Sequence, residues 1–476
     1  MQKKLINSAF IIPLLFSISP SFSNSNQLNH KLMNIEELLA KKEFIDISDI
    51  KDLIIANNIE LKSLEKLVKS SSFNVSSKIS KRYPKLDLSA NGLPKYLYGE
   101  NYNSNSANTK SSQFTANPSL TIKWDLIDPQ RGLEIKSARQ SYEIARNNYE
   151  IKKRDLIQEG RAKYHEYQKL CEDINNARIS VELSLNSLKD AQSKLDSGIG
   201  TKFDVLEAEA ELARDKQLLE EKKTLLEIIE ISIKEILNIK NEVLINKNQK
   251  IQGVWDHSPS TNINNAIKNS LSLKNITIQN KILANQANIF RNANKPNVFI
   301  SNTLSSTFTK GDYLATEINS QKYNSSYNNT ISLNFSWNFF NGGININASK
   351  AKLAEAESGA FEYEIFKNRL IKNINESILN LNLNLKNIHS AQKEIDSSKE
   401  SLRLARLRYE VGIATLKDIL LRQKELSIAR TKNINAIFNY NINLDKLERL
   451  TFLKTNKYCS KMNTDNQDKI YSLCKY

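Results

Sequence analysis

Apolar residues recur at every third or fourth position along two very long stretches of the chain, 133–196 and 345–409. This spacing is typical of a coiled-coil seam, in which one face of a helix packs against a neighbouring helix. A helix of about 63 residues spans on the order of 95 Å at 1.5 Å per residue, which is longer than a globular core. Each stretch is followed by a short glycine-containing break and a second helical pattern, at 203–238 and 417–452. We therefore expect two antiparallel helical hairpins that project from the molecule.

Two other regions alternate strictly between apolar and polar residues. The apolar members are Leu120, Ile122, Trp124 and Leu126 in the first region, and Ile331, Leu333, Phe335, Trp337 and Phe339 in the second. Alternation predicts amphipathic strands, and weaker partner strands at about 84–98 and 296–309 complete two β-hairpins. A strand with one apolar and one polar face suits a sheet packed on a soluble core. It equally suits a sheet between lipid and a water-filled lumen.

Tyrosine and tryptophan side chains gather around the predicted strands. They are Tyr96, Tyr98, Trp124, Tyr313, Tyr323, Tyr327 and Trp337. Aromatic girdles at both interfaces of the bilayer are typical of membrane barrels, whereas ordinary core aromatics are the alternative interpretation. Trp124 and Trp337 are the candidate barrel-interface aromatics.

The two halves of the chain repeat each other. Trp124-Asp-Leu-Ile-Asp128 corresponds to Trp337-Asn-Phe-Phe-Asn341, and Gly198-Ile-Gly-Thr201 corresponds to Gly412-Ile-Ala-Thr415 at nearly the same offset. Because both order and spacing hold, we expect a duplicated architecture. The predicted organisation is a signal peptide at 1–23, a first repeat at 24–245, a second repeat at 246–455 and a polar tail at 456–476. Each repeat is predicted to contain a helical segment (49–80; 260–293), a strand region (84–126; 296–341) and a helical hairpin (133–238; 345–452).

The N-terminus has the form of a secretory signal. Lys3 and Lys4 precede an apolar run from Leu5 to Ile18, and Ser21-Phe22-Ser23 is a small-residue cleavage context. An uncleaved anchor is the alternative, but the apolar run is short for a membrane span. Cleavage would change the net charge from +16 to +14, because 1–23 contains two lysines and no acidic residue. The rest of the sequence has no run of 18 apolar residues, so we expect the mature chain to enter a membrane only as β-strands.

Composition agrees with long elements and offers little chemistry. Glycine and proline account for only 12 and 8 of 476 residues. The four histidines are scattered, and the sequence has no CxxC, HExxH or phosphate-binding loop. Glutamates on the helices lie among lysines and arginines, so we interpret them as solvated faces, and Cys171 falls on a helical seam. Cys459 and Cys474 are equally compatible with a disulfide and with free thiols. We expect no enzyme activity, no catalytic residue, no cofactor and no metal.

The break in each helical hairpin has the composition of a tight turn between helices. Gly198 and Gly412 can adopt φ > 0 and end the first helix, and Thr201 and Thr415 occupy N-cap positions. An aspartate follows each threonine at the spacing of a capping box. A tight turn is by itself a sufficient explanation of the glycines and threonines.

Four strands cannot close a membrane barrel, because the smallest have about eight. We therefore expect several copies to share one barrel and one helical cylinder. From about 35 to 455 the chain resembles the TolC-type outer-membrane efflux family. The motifs that carry the resemblance are Trp124-x-x-x-Asp128, Trp337-x-x-x-Asn341 followed by Gly342-Gly343, and the two hairpin turns.

The resemblance implies a mixed α and β membrane protein, in which a homotrimer forms a 12-stranded outer-membrane β-barrel that continues into a periplasmic α-barrel. It further implies outer-membrane lipid, a periplasmic membrane-fusion adaptor and an inner-membrane transporter as partners. The channel would then be the passive exit duct of a tripartite efflux or type I secretion system.

The resemblance also assigns roles at the far end of the hairpins. Asp204, Tyr409 and Asp418 would hold the periplasmic tip closed between neighbouring hairpins. The sequence departs from the family at Ala414, where some members have an arginine, and at Leu421, where some have a second aspartate, so the gating network is expected to be thinner. The adaptor is expected to dock on the turns, at Gly198, Ile199, Thr201, Phe203, Leu206, Gly412, Ile413, Thr415, Leu416 and Leu420.

Two other functions fit parts of the pattern. A secreted coiled-coil structural or adhesive protein would have the helical seams, but it needs neither paired amphipathic strands nor duplicated glycine turns. A nucleic-acid-binding protein would fit the positive charge, but the basic residues are spread along the helices rather than clustered. We therefore expect no nucleic-acid partner.

Overall fold

A computed structural model of the chain describes residues 45–102, 104–105, 109–239, 245–313, 323–455 and 457–458. The predicted signal peptide at 1–23 and the cysteine pair Cys459 and Cys474 lie outside these residues. In chain order the elements are α1 (Ile47–Asn57), α2 (Ile59–Ser80), β1 (Lys85–Asn101), β2 (Thr109–Ile127), α3 (Arg131–Asp196), α4 (Lys202–Leu237), β3 (Gly253–Val254), α5 (Pro259–Asn269), α6 (Leu271–Asn292), β4 (Asn297–Tyr313), β5 (Tyr323–Ser336), α7 (Ile344–Glu410), α8 (Leu416–Thr451) and β6 (Lys457–Tyr458).

The architecture is duplicated and dominated by two very long helices, as the sequence predicted. α3 has 66 residues and α7 has 67, so each is about 100 Å long at 1.5 Å per residue. Each pairs with a returning helix of 36 residues, α4 or α8, which covers the part nearest the turn. A helix of 22 residues, α2 or α6, packs along the remaining part and leads to the sheet.

The helical segment at the start of each repeat is divided into two helices. The break falls at Asn58 in the first repeat and at Ser270 in the second. Each residue has an extended backbone, and its side chain accepts a hydrogen bond from the backbone N–H three residues later, at Leu61 or Leu273. A capping side chain therefore ends one helix and starts the next, a local signal that apolar periodicity does not reveal.

Each repeat buries its own apolar core beside the long helix. In the first repeat, Ile54 and Tyr164 are among the buried residues that pack around the junction of α1, α3 and α4. In the second, Ile374 and Tyr440 occupy the corresponding space between α7 and α8. A third cluster lies at the far end of the hairpins and joins side chains of both repeats. None of the described helices is both long enough and apolar enough to cross a membrane.

The strands form one open antiparallel sheet in the order β1-β2-β4-β5. The register places polar residues beside one another on one face, for example Asp87, Thr121, Thr303 and Thr330 in one row across the sheet. The opposite face carries rows such as Trp124, Ile300 and Leu333. The described helices pack along one another, and the apolar side chains of the sheet are exposed in the single chain. Among the described residues, no helix covers the apolar face of the sheet, so this part of the chain shows no core beneath it.

Candidate functional site

The two hairpin turns at the end farthest from the sheet are built alike. Gly198 and Gly412 adopt φ angles of 77° and 81°, a conformation that glycine reaches without steric cost. The next residue in each turn donates its backbone N–H to a carbonyl oxygen about one turn back in the preceding helix. The N···O distance is 3.0 Å for the bond from Ile199 and 2.8 Å for the bond from Ile413. These bonds satisfy helix-end carbonyls and fix the reversal of the chain.

Thr201 and Thr415 cap the helices that leave the turns. The Thr201 hydroxyl accepts a hydrogen bond from the Asp204 N–H at 3.1 Å and donates to the Asp204 carboxylate at 2.6 Å. At the second turn the Asp418 carboxylate also accepts the Thr415 backbone N–H at 2.9 Å, which completes a capping box. The hydrogen bonds from the backbone and the hydroxyl of Thr415 lower the pKa of Asp418, so this carboxylate is ionised at neutral pH.

The predicted docking residues divide into an exposed and a buried group. Ile199, Phe203, Leu206 and Ile413 are large apolar side chains that are 77%, 71%, 52% and 69% exposed. We call these four residues the apolar tip.

Leu416 and Leu420 are only 1% and 8% exposed, so the expectation that they lie on the accessible surface is wrong. They belong to the core cluster at the far end of the hairpins, which also contains Ala191 and Val205 of the first repeat. These two leucines therefore pack between the hairpins and are not available to a partner.

A lysine that no sequence motif indicated joins the two hairpins beside the turns. The ammonium of Lys194, near the end of α3, lies 3.4 Å from the ring centroid of Tyr409, near the end of α7. The same ammonium donates a hydrogen bond to the Tyr409 carbonyl at 2.8 Å. Burial raises the pKa of Tyr409, and the nearby carboxylates of Asp204 and Asp190 raise it further. Tyr409 thus stays protonated and anchored within its own chain.

At the opposite end, the two tryptophans mark the junction between sheet and helices. Trp124 donates its indole N–H to the Arg82 carbonyl at 2.9 Å, and Trp337 donates to the Asn294 carbonyl at 2.8 Å. Both indoles are about half exposed, and both join a strand to the chain segment that follows a 22-residue helix.

The acidic residue of the first tryptophan motif starts the long helix. The Asp128 carboxylate accepts the backbone N–H groups of Gln130 at 2.9 Å and Arg131 at 3.2 Å. The Arg131 guanidinium in turn donates to the carbonyls of Asp125 at 2.7 Å and Leu126 at 3.1 Å. The motif therefore has a structural role, because it fixes the angle at which α3 leaves the sheet.

A buried ionic cluster ties the two repeats together between these ends. Arg161 on α3 lies 3.0 Å from Asp445 and 2.9 Å from Glu448, both on α8. His165 is 1% exposed, and its Nε2 lies 3.2 Å from the second carboxylate oxygen of Asp445. Burial by itself would lower the pKa of Arg161, but the two carboxylates outweigh it and raise the pKa.

The expectation that glutamates on the helices lie on solvated faces is therefore wrong for Glu448, whose side chain is only 13% exposed. The neighbouring Asp445 side chain is 9% exposed. No sequence signal identified this cluster, because its partners are 284 and 287 residues apart.

Comparisons with known proteins agree with this geometry. A family model described as outer membrane efflux protein matches residues 51–238 and 262–451, which includes parts of both repeats. No curated protein sequence matches the chain significantly.

Solved outer-membrane channels have the same fold at low sequence identity. CusC is 14% identical, with a TM-score of 0.68 over 87% of this chain and 94% of its own. The Campylobacter jejuni channel CmeC is 16% identical, with a TM-score of 0.68 over 85% of each chain. VceC of Vibrio cholerae is 13% identical, with a TM-score of 0.66 over 86% of this chain and 97% of its own.

Proposed function

Because the chain belongs to the outer membrane efflux protein family, we propose that three copies assemble into one continuous duct through the outer membrane and the periplasm. The protein is an outer-membrane efflux channel with a helical periplasmic part, and it is a passive conduit, not an enzyme. A secreted coiled-coil structural or adhesive role is not favoured.

The observation that carries the trimer proposal is the open sheet. β1 and β5, of 17 and 14 residues, are edge strands with no further partner among the described strands. Long unpaired edges are rarely left free in native proteins, because they present rows of unsatisfied N–H and C=O groups. Pairing of β5 of one copy with β1 of the next removes both edges, and three copies of four strands form a closed barrel of 12.

The two faces of the sheet fit this closure. The apolar rows would face lipid and the polar rows would line the lumen, which matches the alternation of membrane barrels. Trp124 and Trp337 would then lie at the periplasmic interface of the bilayer, where amphipathic indole rings are favoured.

Light scattering on the detergent-purified protein tests the assembly. We expect a protein mass three times that of one mature chain, and recovery from the outer-membrane fraction after a high-salt wash. Recovery as a water-soluble monomer would contradict the proposal, because a single chain leaves both sheet edges and the apolar face exposed.

At the other end, we assign adaptor docking to the apolar tip, with Gly198, Thr201, Gly412 and Thr415 shaping the turns that present it. Exposed apolar side chains at the end of a long projection are costly unless a partner covers them. A periplasmic membrane-fusion adaptor would cover them and connect the duct to an inner-membrane transporter.

Replacing Phe203 with aspartate is expected to weaken docking without affecting assembly. A carboxylate would have to lose its hydration in an apolar contact, so cross-linking to the adaptor from a cysteine at Ile413 should fall by about tenfold. The measurement is the yield of the cross-linked adaptor, identified by mass spectrometry in cells. Leu225→Asp, on the same helix but away from the turn, is the matched control and should leave the yield unchanged. Equal yields in the Phe203→Asp and unsubstituted proteins would remove the apolar tip from the docking site.

We further propose that Asp204, Tyr409 and Asp418 close the tip and that Lys194 holds Tyr409 in place. Three copies bring up to six of these aspartates to one ring, where close carboxylates repel unless cations compensate them. Ala414 supplies no charge at the turn. The cation that contacts Tyr409 is the Lys194 ammonium.

Lys194→Met should open the tip. The variant removes a cation–π contact and a charged hydrogen bond, together worth about 1–3 kcal/mol, and keeps most of the apolar stem. We expect a clear rise in single-channel conductance or open time in planar bilayers, at equal trimer yield. Lys189→Met, which changes an exposed lysine on the same helix, is the control and should conduct like the unsubstituted channel. Conductance that is unchanged in Lys194→Met would exclude Lys194 from gating.

A further inference from the structure

A cavity of about 230 Å³ lies where four helices from both repeats meet, namely α3, α6, α7 and α8. Four cationic side chains line it, and they are Arg154, Arg369, Lys446 and Arg449. The single carboxylate in the lining is Asp155. The cavity therefore has three more positive than negative side chains. Its walls come from one chain and exclude part of the solvent.

The one carboxylate is already occupied. Asp155 accepts the Arg449 guanidinium through Nε at 2.8 Å and Nη2 at 2.6 Å. Arg369 and Lys446 have no hydrogen bond or ion pair with any residue that the structure describes. Like charges gathered without counterions in a partly enclosed space repel one another strongly, so this arrangement calls for an anion.

Arg154 shows the effect of this crowding. Its guanidinium lies over the Phe452 ring, 4.1 Å from the centroid, and makes no ion pair with a described carboxylate. Burial lowers the pKa of Arg154 and the neighbouring Arg449 lowers it further, while the Glu150 carboxylate raises it without reversing the shift. An anion in the cavity would relieve both effects, because it would replace lost hydration and offset the charge of Arg449.

A neighbouring cavity of about 200 Å³ provides a contrast within the same protein. It shares Arg154 and Arg449 with the first cavity, but it also contains Arg161, Lys454, Asp445 and Glu448. There the two added cations are matched by two carboxylates. Arg369 and Lys446, which line only the first cavity, are accompanied by Asp155 alone.

The N-terminal end of α6 adds a weaker positive potential to the cavity. Leu271 and Ser272, its first two residues, line the cavity. The first turn of this helix contains no acidic residue, so the positive end of its dipole is not neutralised from within the helix.

We propose that this cavity binds a small multivalent oxyanion of the phosphate type, held by Arg154 and Arg369 and balanced by Lys446 and Arg449. The planar guanidinium fork matches two oxygens of such an anion, and a cavity of this size accommodates one. The anion would link helices of both repeats and so stabilise their junction. The site goes beyond the export function and does not depend on it.

Calorimetric titration of the detergent-purified full-length protein with inorganic phosphate tests the site, with chloride at equal ionic strength as the reference. Saturable binding of phosphate is expected, accompanied by a rise in the thermal unfolding temperature at millimolar phosphate. Phosphate acts on proteins in general by exclusion from their surface, so variants are needed to separate the two effects.

Arg369→Gln should weaken phosphate binding by at least about tenfold, because a charged hydrogen-bond donor is lost. This arginine is exposed and has no described partner, so the variant is expected to fold, and Arg154→Gln provides a second, independent test. Arg178→Gln, an exposed arginine elsewhere on α3, is the matched control and should bind like the unsubstituted protein.

Two further titrations define the ligand. Sulfate should compete with phosphate. Glycerol phosphate would use the same arginines, so the comparison of its affinity with that of inorganic phosphate shows whether the site prefers the free ion or a phosphate ester. The proposal is overturned if the unsubstituted protein shows no saturable phosphate binding, if Arg369→Gln and Arg154→Gln bind as tightly as it does, or if chloride competes as well as sulfate.

Discussion

Ile331→Arg is expected to prevent the protein from accumulating as an assembled channel in the outer membrane. Ile331 is 71% exposed in the single chain, and the register places it on the apolar face, in one row with Leu86, Ile122 and the polar Asn302. An arginine that faces the middle of the bilayer costs about 2–4 kcal/mol, and a trimer would incur this cost three times. The amount of heat-resistant trimer in outer-membrane fractions should fall by at least about tenfold.

Thr330→Arg is the matched control for this experiment. Thr330 is adjacent in the chain, is also exposed, and belongs to the polar row with Thr303 and Thr121. An arginine there would project into water, so the yield of trimer should stay near that of the unsubstituted protein while conductance changes. If the two variants lost trimer equally, the assignment of the faces to lipid and lumen would be wrong.

Asp445→Ala should cause a large loss of stability in the periplasmic helices. The change leaves the Arg161 guanidinium with Glu448 as its remaining carboxylate partner, and it removes the neighbour of the buried His165. Breaking a buried ion pair from one side costs about 3–5 kcal/mol, and we expect the lower end because one partner of Arg161 remains. Thermal unfolding followed by circular dichroism at 222 nm, the wavelength of the helix signal, measures the shift.

Glu394→Ala shows whether the effect depends on burial. Glu394 pairs with Lys432 at 2.7 Å between the two helices of the second hairpin, but the side chains are 42% and 56% exposed. Solvent screens such a pair, so its loss should change the stability by less than about 1 kcal/mol. Comparable shifts for Asp445→Ala and Glu394→Ala would show that the cluster does not stabilise the junction of the repeats.

The limits of sequence interpretation are visible at particular residues. The turn at Gly412 and the cap at Thr415 were predictable, because both depend on interactions within a few residues. The burial of Leu416 was not predictable, because helical periodicity defines an apolar face without showing whether a neighbouring hairpin or water lies beyond it. The contact between Lys194 and Tyr409 was also missed, since the residues are 215 positions apart in the chain.

The sequence by itself determined the elements and their duplication. Helical seams, alternating strands, glycine turns and caps are short-range patterns, and each occurs once in each repeat. Tertiary structure alone decided which charges are buried and which apolar surfaces remain open. It brings Arg161 to Asp445 and gathers cations around one cavity, and in the described part of the chain it leaves the sheet with two free edges and an uncovered apolar face. These features depend on how distant segments pack, and their energies arise from desolvation and from edges that one chain cannot satisfy.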